Sequence, residues 1–269
     1  MSDKPKEMSF LGHLEELRWH LVRSSIAVFV IAIVLFSFQE IVFNKFLLAH
    51  LDSDFIVYKT FCEMFGSIGI DTNFCHISFP QKLQSLALTQ QLMIAIWTSL
   101  ILGFILAFPY ILWEIWRFIA PGLHPKERKK SRGFIFIASI LFFIGALFSY
   151  YIITSMSVSF FYGYQISDQI SNNFTIDSYI SLVTNTLLGV SLMFELPVLV
   201  YFLSKIGLIS PEFLRKYRKH SLVVVLVLSA VITPPDVASQ IIVSIPILIL
   251  YELSIHISKF VIKKQQKNA

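Results

Sequence analysis

Apolar side chains are gathered into long stretches that few charges interrupt, and the charges into the short stretches between them. Leu92–Trp113 and Gly133–Ile153 contain no Asp, Glu, Lys or Arg, and each is long enough to cross a hydrocarbon core of roughly 30 Å as a helix. Ser24–Phe43 is similar, with Gln39 and Glu40 near its far end, and so is Tyr179–Leu203, which holds Glu195. The last apolar stretch divides at Thr233–Pro234–Pro235–Asp236. The piece before the division, His220–Ile232, makes only about 20 Å of helix. The piece after it, Val237–Ser258, carries Pro246. The short piece is either a span accommodated by bilayer thinning or burial, or one arm of a re-entrant hairpin; both return the C-terminus to the same side. The pattern predicts an all-α polytopic membrane protein, one integral domain over 1–269. Its six transmembrane helices lie near 24–43, 92–113, 133–155, 179–203, 220–232 and 237–258.

The polar stretches orient these spans. Residues 1–9 are polar, and SFLGHLEELRWHLVRS reads as an amphipathic helix. Phe10, Leu14, Leu17 and Leu21 line one of its faces, and His13, Glu16 and His20 lie together on another. Trp116–Arg132 sets Pro121, Gly122 and Pro125 among Arg117, Lys126, Glu127, Arg128, Lys129, Lys130 and Arg132. A second basic stretch holds Lys205, Arg215, Lys216, Arg218 and Lys219, with Ser210–Pro211–Glu212 as a helix start. Of the 22 Lys and Arg, only Lys45, Lys59 and Lys82 fall on the opposite side of the predicted spans. Loops rich in Lys and Arg stay in the cytoplasm, so residues 1–23 and the tail 259–269 are both expected there. The long segment Asn44–Gln91 is then external and, lacking an uninterrupted span, is read as partly helical caps. It contains Cys62 and Cys75, which form a disulfide if that side is oxidising and are otherwise two free thiols.

Composition narrows the class further. With 55% apolar and 14% charged residues and a mean hydropathy of +0.70, a soluble domain is excluded. The net charge of +5 sits in loops beside apolar spans, so it sets orientation toward the lipid bilayer; a nucleic-acid partner is not expected. No cleavable signal is expected, because the first apolar run begins after Arg23 and is too long for one. Motifs for metalloproteases, serine hydrolases, nucleotide-binding loops and zinc sites are missing from the sequence, so no enzyme activity, metal or cofactor is expected.

Two constellations of acids remain. Glu195 lies about 15 Å along a helix from Lys205, near mid-bilayer. A carboxylate there is expected to be protonated, paired or in a wet cavity, as a functional intramembrane site or as a structural acid bonded to a neighbouring helix. Pro197 removes the backbone donor to the Met193 carbonyl and predicts a kink beside it. On the cytoplasmic side, Glu16 and Glu127 stand among cations. They are either neutralised in place by Arg18 and Arg128 or offered to a guest whose arginines they bind bidentately; the residues alone favour the first.

HLEELR before the first span, FIAPGLHPKER after the second, FELP in the fourth and ITPPDVASQ between the fifth and sixth together resemble the TatC family. Its members are multi-spanning receptor subunits of the twin-arginine protein translocase. The resemblance covers nearly the whole chain. It departs in the external loop, where FNKFLLAHLD lacks a proline the family commonly has. It implies a glove-shaped bundle with short fifth and sixth helices, in the bacterial cytoplasmic (inner) membrane. It implies that Glu16 and Glu127, with Arg18, Phe118, Pro121 and Arg128, bind the twin-arginine signal peptides of folded precursors. It makes Glu195 an intramembrane site on the concave side, and Thr233, Asp236 and Gln240 the place where single-span TatA/TatB-type subunits dock. Self-association, and transport driven by the proton-motive force, belong to the same expectation. The rival readings are a proton-coupled solute transporter using Glu195, which would need a repeat the sequence lacks, and an intramembrane hydrolase, for which no nucleophile–base pair is visible.

Overall fold

Where nothing breaks an apolar run, a helix can continue through it, and the start of the first span illustrates this. No proline or glycine follows Gly12 until the span is complete, and α1 runs unbroken from Phe10 to Ser37. The amphipathic leader and the first span are therefore one helix. The structure, a computed structural model, describes residues 10–67, 79, 83–119, 132–167, 169–170, 172–232 and 237–268. All regular elements among them are helical, and five helical segments are long and apolar enough to cross a membrane: Gly12–Ser37, Gln90–Ile119, Ile135–Gly163, Ile176–Lys205 and Gln240–Lys264.

In chain order, α1 is followed by a short helix α2 (Gln39–Ile41), a π-helical stretch Val42–Leu47, a 3₁₀ turn Leu48–Leu51, and α3 (Ile56–Gly66). Next come α4 (Gln90–Ile119) and α5 (Arg132–Phe148), a second π-helical stretch Ser149–Thr154, and α6 (Ser155–Gly163). The chain closes with α7 (Ile176–Met193), α8 (Leu196–Lys205), α9 (Pro211–Lys216), α10 (Arg218–Ile232) and α11 (Val237–Asn268). The stretch predicted as a fifth span is α10, a helix of 15 residues and so only about 22 Å long. The chain divides into two compact units, Met1–Gln39 with Ala95–Ser139, and Glu40–Ile94 with Ile140–Ala269.

In the first unit α1 lies against α4 through small residues. A Cβ on Gly103 would meet the Val28 carbonyl oxygen at 2.9 Å and the Ala32 Cβ at 3.1 Å, so glycine at 103 permits the approach. Close backbone contact of this kind holds helices together in lipid, where burial of apolar surface gives no advantage over the acyl chains.

The second unit has an apolar core of Ile153, Val190, Phe194, Val225, Val243, Ile247 and Leu250. Hydroxyls tie its helices across the core: Ser204 donates to Ser258 at 2.7 Å, and Ser244 to Ser229 at 3.1 Å. A second cluster, around Leu47, Ile94, Val158, Tyr179, Ile180 and Val183, anchors the irregular stretch after α2. There three tyrosine hydroxyls donate to backbone carbonyls, Tyr150 to Phe46, Tyr179 to Leu47 and Tyr58 to His50. His50 is itself buried and donates Nε2–H to the Tyr150 carbonyl at 2.9 Å. The residues before α4 return to pair with the start of α7 through two backbone bonds of 2.9 Å, Gln84 N–H to the Phe174 carbonyl and Ile176 N–H to that of Gln84. Helix starts follow their local chemistry. Thr175 caps α7 by accepting from the Ser178 amide, and Ser210 caps α9 by accepting from Phe213, with Pro211 in the first turn.

Candidate functional site

Within the first unit, the face of α1 that carries His13, Glu16 and His20 is applied to the last turns of α4. Residues three and four apart share a helix face, and both histidines of the set touch the same partner. The His13 ring stacks on Phe118 with centroids 4.3 Å apart; the His20 ring meets Phe118 edge-on at 6.2 Å. Glu16 lies between them in sequence and is half-buried. Among the described residues Glu16 makes no salt bridge, and Arg18 is exposed and does not pair with it.

The acid that is neutralised here is a different one. Glu114, on α4, has a side chain only 1% exposed, and its Oε2 lies 2.5 Å from His20 Nδ1. Arg117, one turn on, reaches Oε1 at 3.3 Å and lays its guanidinium over the Trp113 ring at 5.1 Å. Tyr110, one turn earlier, also faces the carboxylate. A buried carboxylate surrounded by donors in this way is held in one position.

Sequence reasoning missed Glu114 because it took the span to end at Trp113 and the basic loop to begin soon after. The helix instead continues to Ile119, two residues short of Pro121, the next residue that disfavours helix before it. A usable signal was present: Glu114 is the one Asp or Glu between Gln91 and Lys126. A lone acid just inside an apolar span needs a partner, and α1 supplies His20.

Of the other residues singled out from sequence, Pro121, Glu127, Arg128, Thr233, Asp236 and Cys75 lie outside the described residues. Phe118 is half-buried against the two histidines. Gln240 is half-buried on α11 and donates its amide to the Leu226 carbonyl of α10 at 3.0 Å. Cys62 is disulfide-bonded. In the second unit, Pro197 is buried in the first turn of α8, and the predicted kink is a full interruption, with α7 ending at Met193 and α8 beginning at Leu196. Glu195 sits in the gap. Both its carboxylate oxygens are buried and have no hydrogen-bond partner among the described residues. Among the described residues, no three His, Cys, Asp or Glu side chains are grouped to hold a metal ion.

Residues 12–246 match the family described as Sec-independent protein translocase protein (TatC). The chain is 41% identical over 267 residues to a Sec-independent protein translocase protein TatC from Blattabacterium sp. subsp. Periplaneta americana, covering 98% of this chain and 100% of the relative. It is 38% identical over 266 residues to one from Carboxydothermus hydrogenoformans, covering 98% of each. Among solved structures it resembles a crystal structure described as the twin arginine translocase receptor TatC. The TM-score is 0.69 at 32% identity, covering 93% of this chain and 99% of that one.

Proposed function

Because this chain belongs to the TatC family of Sec-independent protein translocase proteins, a transport family and not an enzyme family, we propose that it is the receptor that binds twin-arginine signal peptides of folded precursors. It is a multi-pass membrane protein and a component of that translocase. In this reading Glu16 and Glu127 take the arginine pair at the cytoplasmic face, with Arg18, Phe118, Pro121 and Arg128 around them. Glu195 serves the part of the peptide that enters the membrane. Thr233, Asp236 and Gln240 receive single-span TatA/TatB-type subunits, and the proton-motive force drives export. In the same reading the chain has six spans, with α10 as the short fifth, and both termini lie in the cytoplasm of a bacterial inner membrane.

One observation carries the reading. Among the described residues His20 and Arg117 are engaged by Glu114, while Glu16, on the same face of α1 as His20, has no salt bridge. An acid with no salt bridge among the described residues, on a helix face whose histidines meet the Phe118 ring, suits a guest guanidinium, which binds carboxylate bidentately and stacks on rings.

The test is photo-crosslinking in intact membranes with a precursor carrying a photoreactive residue beside its arginine pair. Glu16→Ala and Glu127→Ala are expected to lower labelling at least about tenfold, the scale of a lost charge-assisted contact, at unchanged protein abundance. Labelling that falls only in step with abundance would assign these acids a structural role.

A further inference from the structure

We propose that the His20–Glu114 pair positions Glu16 for its guest. This rests on the reading of Glu16 as a receptor acid and adds to it Glu114, which lies outside the motifs that carry the family resemblance.

Little of α1 is buried among the described residues. Only 17% of the apolar window of α1 is buried, against 50% for that of α4, and Trp19, Leu21 and Val22, on either side of His20 in sequence, are exposed. At the cytoplasmic end its polar contacts with α4 run through one face. His13 and His20 touch Phe118 by ring contact, and His20 is bonded to Glu114 at 2.5 Å. A ring contact tolerates sliding and tilting. A bond from a buried carboxylate to one imidazole nitrogen does not, because both length and direction are fixed.

Glu114 is itself held by Arg117 at 3.3 Å, and that guanidinium is stacked on Trp113. Its carboxylate is therefore set before His20 arrives. Since Glu16 precedes His20 by one helical turn, the azimuth that puts His20 on Glu114 also puts Glu16 on the face turned to Phe118. Rotating α1 by even one residue, about 100°, would carry Glu16 off that face. Glu114 and His20 thus act through Glu16: they are positioning residues.

The expected consequence is one of selectivity. A bidentate guanidinium contact needs the acid in one place, whereas an ammonium accepts a wider range of positions. Loss of the pair should therefore reduce discrimination between an arginine pair and a lysine pair.

The experiment uses the full-length protein in membranes and measures photo-crosslinking, mapped to α1, of a precursor with two arginines and of the same precursor with two lysines. Wild type, Glu114→Gln, His20→Gln and the exchange His20→Glu with Glu114→His are compared at matched abundance. Glu114→Gln and His20→Gln are expected to lower the arginine-to-lysine labelling ratio about tenfold, and the exchange variant to recover most of it.

A Glu114→Gln protein with the wild-type ratio would overturn the inference and leave the receptor reading intact. If the single variants fail to accumulate, the exchange variant decides: recovery of abundance and ratio together supports positioning, and recovery of abundance without the ratio refutes it, as does recovery of neither. Absence of mapped labelling in wild type would instead refute the receptor reading on which this stands.

Discussion

Among the described residues, Glu195 has both carboxylate oxygens buried and without a hydrogen-bond partner, in the gap between α7 and α8. An ionised acid at mid-membrane costs on the order of 2.5–3.5 kcal/mol on insertion scales, and in the proposed reading Glu195 is kept there for use. Glu195→Gln keeps the shape and removes the charge, and it is expected to insert and accumulate normally yet export a twin-arginine precursor poorly. Immunoblots of membranes beside an export assay measure both, and wild-type export would remove Glu195 from the mechanism. His50 gives a prediction of a different kind. Burial pushes its imidazole pKa below the ordinary 6.5, so the unfolded chain binds the proton more readily than the folded one. Stability from this site is then complete above about pH 6.5 and is lost as the pH falls toward the lowered folded value. Thermal unfolding in detergent at about pH 5 and pH 7.5 should show a steeper acid loss for wild type than for His50→Gln; equal slopes would show that the acid sensitivity lies elsewhere.

At the level of elements, much was legible because the physics is local. Uncharged runs gave the long helices, Pro197 gave the interruption of α7 from α8, and Ser210–Pro211 gave the start of α9. What was not legible depends on neighbours distant in sequence. The π-helical stretches Val42–Leu47 and Ser149–Thr154 have no local signature. They lie beside tyrosine hydroxyls, contributed by residues more than a hundred positions away in two of the three cases, that bond carbonyls of the first stretch and of the turn after it. The first two long helices run past the inner limits of the predicted spans, and for α4 the reason is complementary: a charge need not stop a helix when another helix satisfies it, as His20 does for Glu114. Gly145 is another such contact. A Cβ there would sit 2.8 Å from both Cβ and Cγ of Phe194, so α5 packs against the end of α7 only because residue 145 has no side chain. Gly145→Val is expected to destabilise the protein by about 1–3 kcal/mol, the usual cost of overpacking, and to lower its unfolding temperature in detergent. An unchanged midpoint would mean that the two helices part at no cost.

For the whole molecule, the charge distribution makes the firmest statement that the sequence allows, since 22 Lys and Arg fall almost wholly on one side of the predicted spans. In the proposed reading α10, with 15 residues, is a short span. A cysteine replacing Asp236, in a chain whose own cysteines are changed to serine, is expected to react with an impermeant thiol reagent added from outside if α10 and α11 are short spans. Protection from both sides would indicate a buried hairpin. The unit formed by Met1–Gln39 and Ala95–Ser139 has a mechanical consequence of its own. Helix α1 is fastened to α4 at Ala32 by backbone proximity and at His20 by a polar bond, roughly 18 Å apart along its axis. Two rivets fix the heading of a rod, whereas one leaves it free to swing, so severing either should cost α1 its aim long before it costs the protein its fold.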